Sequence, residues 1–483
     1  MLHALIALAF VLCTHPNAAD HDFAALAETY KKAHGLEGKA QADVDFAQVL
    51  DQHYVHAELG VLDVRYPKSD MPEKVRVKEL QDVSLALLDL QVRWLDWAGA
   101  GNPAEAALRK DLTTFRKAVA GAHPPAWSAE GAEIPGPLPL VLGLKQDMVE
   151  LARKVGVAAR SGDALGAAVA RTEPIQIVFT PSRRQFVELG AFIGWFDESA
   201  RGSFWVDGMP AWADMFWRDR QVLPLVYAPG KVSPDDLSAG YSMNDREKTG
   251  MVEYVAQRGM HSLLWFYYGD ALDPAFESGA AIEVVVELYG QNNARTGTAT
   301  RGKTTFARSV FIPGAPSQGG FLPKNSADSL WRATLGADHF VKVLREAQKA
   351  GARDGSKGDS KLAFFELTSD DTTKHFYVRA PFLGSASDGK EAPTSEFLQD
   401  YSEFFRAYKG CFLHWLSTEG AAKGGKKASE KLFAELLSAL IAKPDGADFE
   451  SVVQQIYGQP YSAKEESVAS LEGRFLAWLG SQK

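Results

Sequence analysis

Between Val75 and Trp97 the apolar residues Val77, Leu80, Val83, Leu87, Leu90 and Trp94 recur at steps of three and four. That period marks one face of an α-helix, because residues three and four apart lie above one another on a helical surface. A helix of this length with an apolar stripe has to bury it against other elements, and the stretches on either side, from Asp22 to Arg160, carry helical patterns too. The first part of the chain is therefore expected to be a helical bundle. His123 to Pro139, with Pro124, Pro125, Pro135, Pro137 and Pro139 among glycine and alanine, reads as a breaker-rich connection between its helices.

A chain of 483 residues exceeds the roughly 250 to 300 at which a single core stops growing, so two or three domains are expected. Its 46% hydrophobic and 23% charged residues are ordinary for a globular protein and argue against both disorder and a membrane-embedded body. The net charge of -9, from 61 acidic against 52 basic residues, disfavours nucleic acid as a partner. At the start, MLHALIALAFVLCTHPNAAD places an apolar run from Leu5 to Cys13 ahead of Ala18 and Ala19. This is the outline of a secretory signal peptide over 1–19, and it predicts a secreted or periplasmic protein cut near Asp20. The run is far shorter than the roughly 20 residues that span a bilayer, so no membrane span is expected. Cys411 would be the sole cysteine after cleavage, which leaves no internal disulfide.

A change of pattern places the first boundary near Gly162. Pro174 to Thr180 (PIQIVFT) reads as a short strand, Pro181 and Ser182 open an amphipathic helix through Leu189, and Val222 to Tyr227 reads as a second strand. Asn244 with Glu247 three residues on predicts the start of a long helix running to Tyr268. A turn over Gly269 to Pro274 and a second helix from Ala275 to Leu288 follow, then a polar loop over Gly290 to Lys303. Further on, a helix is expected over Ala327 to Ala347, strands over Phe364 to Thr368 and Phe376 to Arg379, and amphipathic helices over Tyr401 to Leu416, Ser429 to Ala442 and Ser467 to Leu479. There is no internal repeat of solenoid type.

The helix, turn and helix from Asn244 to Leu288 resemble the peptidase-MA-like branch of the gluzincin zinc peptidases. In that family an HExxH helix supplies two histidines one turn apart and a glutamate base, and the following helix opens with a P-x-W-x-x-E-G-x-A type segment that brings the third ligand. Residues four apart share a helical face, so both imidazoles reach one ion while the glutamate between them activates its water. Here the corresponding residues are Gln257, Arg258, Gly259, Met260 and His261. Only the second histidine remains, and Arg258 stands at the general-base position, where a guanidinium neither accepts a proton nor tolerates a nearby dication. In the second helix Pro274, Phe276, Ser278 and Ala280 to Glu283 keep the character of the family segment, with Gly279 at the ungapped ligand position and Glu277 offered by a small shift. At most two ligands, His261 and Glu277, are left.

The resemblance spans Pro174 to Leu479, including PIQIVFTPSRRQFVEL and the closing SLEGRFLAWL. It leaves the first domain unaccounted for. Taken with the helical bundle read from periodicity (20–162), it implies an α+β, predominantly α fold, with a gluzincin-like domain carrying a small β-containing subdomain (163–320) and a mainly helical C-terminal region (321–483). No catalytic residue is assigned and no cofactor is expected, with zinc as the alternative. The aromatic run that includes Trp195, Trp205 and Trp212 admits a ligand-stacking role, with core filling as the ordinary role of such rings. His261 is ordinarily a packed histidine, and Glu277, Glu283 and Glu287 ordinarily a solvated helix face. P-loop, Rossmann fingerprint, nucleophile elbow and CxxC pair are all absent. The function expected is that of an exported, catalytically inactive metallopeptidase-like protein with a binding or structural role at the cell envelope, toward a peptide, protein or glycan. Alternatives are an active zinc peptidase with a rebuilt site (His261, Glu277 and Glu253) and a carbohydrate-binding envelope protein.

Overall fold

The computed structural model describes residues 23–70, 74–125, 134–169, 173–180, 183–196, 222–226, 251–269, 271–272, 274–289, 299–300, 303–304, 410–441, 449–461 and 470–481. The leader over 1–19, Trp205 and Trp212, the helix expected over 327–347 and the strands expected over 364–368 and 376–379 lie outside these residues.

The first helices are α1 (Phe23–Ala33) and α2 (Phe46–His53), the latter capped by the Asp45 carboxylate. A β-hairpin follows, β1 (Tyr54–Leu59) and β2 (Leu62–Pro67), then the long α3 (Lys74–Ala98), α4 (Pro103–Ala120) and α5 (Gln146–Arg160). The hairpin corrects the reading of this region as wholly helical. Its apolar residues Val55, Ala57, Leu59, Leu62, Val64 and Tyr66 alternate with His56, Glu58, Asp63 and Arg65, a period of two with Gly60 at the turn. On β2 the polar face is itself buried. Arg65 donates to Asp63 at 2.7 Å and to Asp51 at 2.6 Å, so the strand is covered on both sides.

In α3 the stripe is its core face: Val77, Leu80, Val83, Leu87, Leu90 and Trp94 are each at most 2% exposed. Two buried glutamines on the helix act as clamps. Gln91 Nε2 donates to Leu59 O at 2.6 Å and ties α3 to the hairpin, while Gln81 Nε2 donates to Val119 O and Ala122 O at the end of α4. Gly60 has a φ of 68°, and a Cβ there would collide with the Gln91 carboxamide, so both the turn and the clamp require glycine.

β3 (Ile175–Thr180) pairs in parallel with β2, from Leu62 opposite Ile175 to Arg65 opposite Val178, across the position where the pattern changes near 162. α6 (Arg183–Phe196) leads to β4 (Val222–Val226), which pairs in parallel with β3 and completes a four-stranded sheet in the order β1, β2, β3, β4. α1 lies on α6, with Tyr30 and Phe46 stacked on Phe192.

The opposite face of the sheet meets α3 and α7 (Met251–Tyr268), and α8 (Pro274–Tyr289) packs along α7. α9 (residues 410–418), α10 (Gly425–Ile441), α11 (Phe449–Tyr457) and α12 (Leu471–Ser481) close the described structure. Aromatic rings join these layers: Trp94 stacks on Tyr267, Phe433 meets Trp97 and Phe276, and Phe412 meets Tyr461 and Phe475. One continuous apolar core thus runs from the hairpin to the last helix. The architecture is mostly helical with a small four-stranded mixed sheet and a short antiparallel ladder between Ala299–Thr300 and Lys303–Thr304. No described helix is long and apolar enough to cross a membrane.

Candidate functional site

α7 is buried all round from Val255 to Tyr268, as expected of a helix at the centre of a core rather than on its surface. Gly259 sets how close it lies to α3, because a Cβ there would sit 2.5 Å from Leu87 Cδ2 and 3.0 Å from Leu90 Cδ2. The helix stops at Gly269, whose positive φ of 56° turns the chain, and Gly269 N–H bonds back to Trp265 O at 2.9 Å. Pro274 then opens α8, placing Glu277 in its first turn, where the helix dipole favours a carboxylate.

This turn brings His261 and Glu277 together. His261 Nδ1 lies 3.1 Å from Glu277 Oε1, with side-chain exposures of 8% and 4%. A carboxylate oxygen accepts, so Nδ1–H is the donor in this bond, which leaves Nε2 as the second ring nitrogen. Nε2 is buried and has no hydrogen-bond partner among the described residues. Gln257 and Arg258, one turn earlier on α7, are buried as well. The side chain of Glu253 lies outside the described residues.

Zinc, the ion that the gluzincin resemblance implies, can be weighed against these donors. A catalytic zinc ion takes three protein ligands and keeps one position open. Here one imidazole nitrogen is available, Glu277 is engaged with that same ring, Gln257 offers a neutral amide, and Arg258 adds a fixed positive charge. Among the described residues no group of three or more His, Cys, Asp or Glu side chains is placed to hold a metal. The residues do not fit a catalytic zinc centre, and no described carboxylate stands at the base position.

A second histidine–carboxylate pair lies farther along α8. His414 Nδ1 of α9 is 2.6 Å from Glu283 Oε1, a carboxylate only 3% exposed, while the imidazole is 36% exposed. Desolvation holds the Glu283 carboxyl above the usual carboxylate range despite the hydrogen bond from His414, and that hydrogen bond raises His414 above the ordinary imidazole value. One turn on, Glu287 is gripped by Arg93 of α3 through Nε and Nη2. Burial, helped by the Glu283 charge, pushes the Cys411 thiol far up, which suits a packed side chain and not a nucleophile. Glu277 and Glu283 are thus corrected from a solvated face to buried, paired groups, because Phe276, Glu277 and the residues from Ala280 to Val286 on α8 are all buried in the core it forms with α7, α3 and the C-terminal helices. Nothing in the sequence around His414 points to its partner 131 positions away.

Of the aromatic candidates, Trp195 is half-buried at the end of α6. Its ring packs beside Phe192, and Lys31 Nζ lies 4.4 Å from its centroid, so one face is taken by a neighbour of this chain.

No protein-family model matches the chain, and no curated protein or solved structure matches it either.

Proposed function

We propose that this chain is an exported, catalytically inactive metallopeptidase-like protein whose inherited shape serves a binding or structural role at the cell envelope, toward a peptide, protein or glycan. The observation that carries the reading is the 3.1 Å contact between His261 and Glu277 across two consecutive helices. It lies where the gluzincin resemblance expects the second histidine and the ligand of the following helix to converge. The departures carry the rest of the reading: an amide at the first-ligand position and a buried guanidinium at the base position remove a ligand and the base together. The export part rests on the apolar run and small residues before Asp20.

A second reading, an active hydrolase with a rebuilt site, is favoured by one atom. His261 Nε2 is the nitrogen that a metal or a substrate proton would use, with Glu277 orienting the ring from Nδ1.

Metal analysis of protein purified without added metal, run beside a general peptidase assay, separates the two. No bound metal and no cleavage is the result expected. Stoichiometric zinc that disappears in His261→Ala would overturn the inactive reading. The kinship is tested by reversal: Gln257→His together with Arg258→Glu is expected to create zinc affinity. At about 100 times its Kd, zinc should then raise stability by about 2.7 kcal/mol. A folded double variant that stays metal-free would show that the motif has been misplaced.

A further inference from the structure

We propose that the contact between His414 and Glu283 is a pH-operated latch, holding α9 on α8 at neutral pH and below and loosening it as the solution becomes alkaline. The geometry is that of a charge-assisted hydrogen bond, 2.6 Å long, between a carboxylate sealed in the core and an imidazole that still reaches solvent. Proton exchange with water is therefore open on the histidine side only. The two residues belong to helices far apart in sequence, so the bond reports whether α9 is docked.

The surroundings leave His414 as the group that changes charge near neutrality. Glu283 is faced by His414 and Cys411 from α9, by Glu287 from its own helix and by Arg93 from α3. His414 is faced by Glu283 and Glu287 from α8 and by Lys426 at the start of α10. Arg93 is engaged by Glu287 and Asp96, and Lys426 pairs with Glu430 at 3.7 Å. Among these groups the ordinary value for His alone falls near neutral pH.

Both partners hold their proton more tightly when docked than when apart, His414 because of the hydrogen bond to Glu283 and Glu283 because of burial. A histidine raised in this way adds stability that is complete below the free imidazole value and is lost as pH climbs through the docked one. Once His414 gives up its proton, the buried Glu283 carboxylate loses the positive partner that offset its desolvation, so the pair then holds α9 less tightly. Phe412 and Trp415, packed against Phe475, keep α9 from leaving outright, so the expected change is a loosening of one helix. The latch does not depend on whether the His261 site is a relic or an enzyme.

Hydrogen–deuterium exchange on the full chain, between about pH 6 and 9 and corrected for intrinsic exchange, tests this. Protection of residues 410–418 is expected to fall with rising pH, by up to about tenfold per unit above the free imidazole value. Over the same range α3 should hold its protection. Glu283→Gln, which keeps an acceptor but cannot ionise, should flatten the profile of α9. A profile for 410–418 that is flat in the natural chain, or equally steep in Glu283→Gln, overturns the proposal. If Glu283→Gln does not fold, the imidazole resonances of His414 in the natural chain decide: titration above the free value supports the latch, and titration at or below it sinks it.

Discussion

Among single residues, the contrast between His261 and His414 is the instructive one. Both place Nδ1 against a glutamate of α8, but His261 is sealed and His414 reaches water. The first pair is therefore closed off from solvent, and the second is open to it. For the sealed pair, Glu277→Ala should cost about 1–3 kcal/mol, because it leaves the His261 Nδ1 donor buried without an acceptor. Glu277→Gln, which still accepts, should cost less. Urea denaturation of the two variants tests the ordering, and equal losses would mean that the carboxylate's own burial, not the bond, sets the cost.

Packing of whole elements turns on the crossing of α7 and α3. Gly259 lets the two helices approach until Leu87 and Leu90 fill the place of a side chain, and Trp94, Tyr267 and Tyr268 interlock beside it. Gly259→Val should be destabilising by about 1–3 kcal/mol through overpacking, since both leucines are fully buried and would have to shift. A gain in thermal stability would show that the helices can part without cost. At this level the legibility of the sequence divides sharply. α3 is readable because its stripe from Val77 to Trp94 repeats over about five turns, and β3 because Ile175, Ile177 and Val178 form a short β-branched run between breakers. The hairpin is harder to read although its alternation is present: two six-residue strands with His56, Glu58, Asp63 and Arg65 interleaved look polar when averaged over a helical window.

Across the whole molecule, one apolar core joins segments from both sides of position 162 and from the far C-terminal helices. Protonation of histidines bears on this core from two sides. His34 and His53, edge to face at 4.9 Å beside α1 and α2, are both lowered chiefly by burial. Their folded states resist protonation, so the stability they allow is present above the free imidazole value and is lost as pH falls below it. His414 acts with the opposite sign on the alkaline side. Thermal unfolding is thus expected to show a maximum near neutral pH, with the acid limb reduced in His34→Phe. An acid limb unchanged by that substitution would assign it to the carboxylates.

Read by itself, the sequence determined the helical bulk of the protein and the placing of α3, β3, α6, β4, α7 and α8, because these depend on periods of two and 3.6 and on breakers that act within a few residues. It also determined what chemistry Gln257 and Arg258 can offer, since an amide and a guanidinium are what they are in any fold. The tertiary structure decided what no local pattern encodes: that β2 joins β3 in one sheet, that His261 meets Glu277, and that Glu283 is buried against a histidine 131 positions away. Burial and pairing arise from long-range packing, and the same glutamate in the same helix would be a solvated surface charge had α9 docked elsewhere.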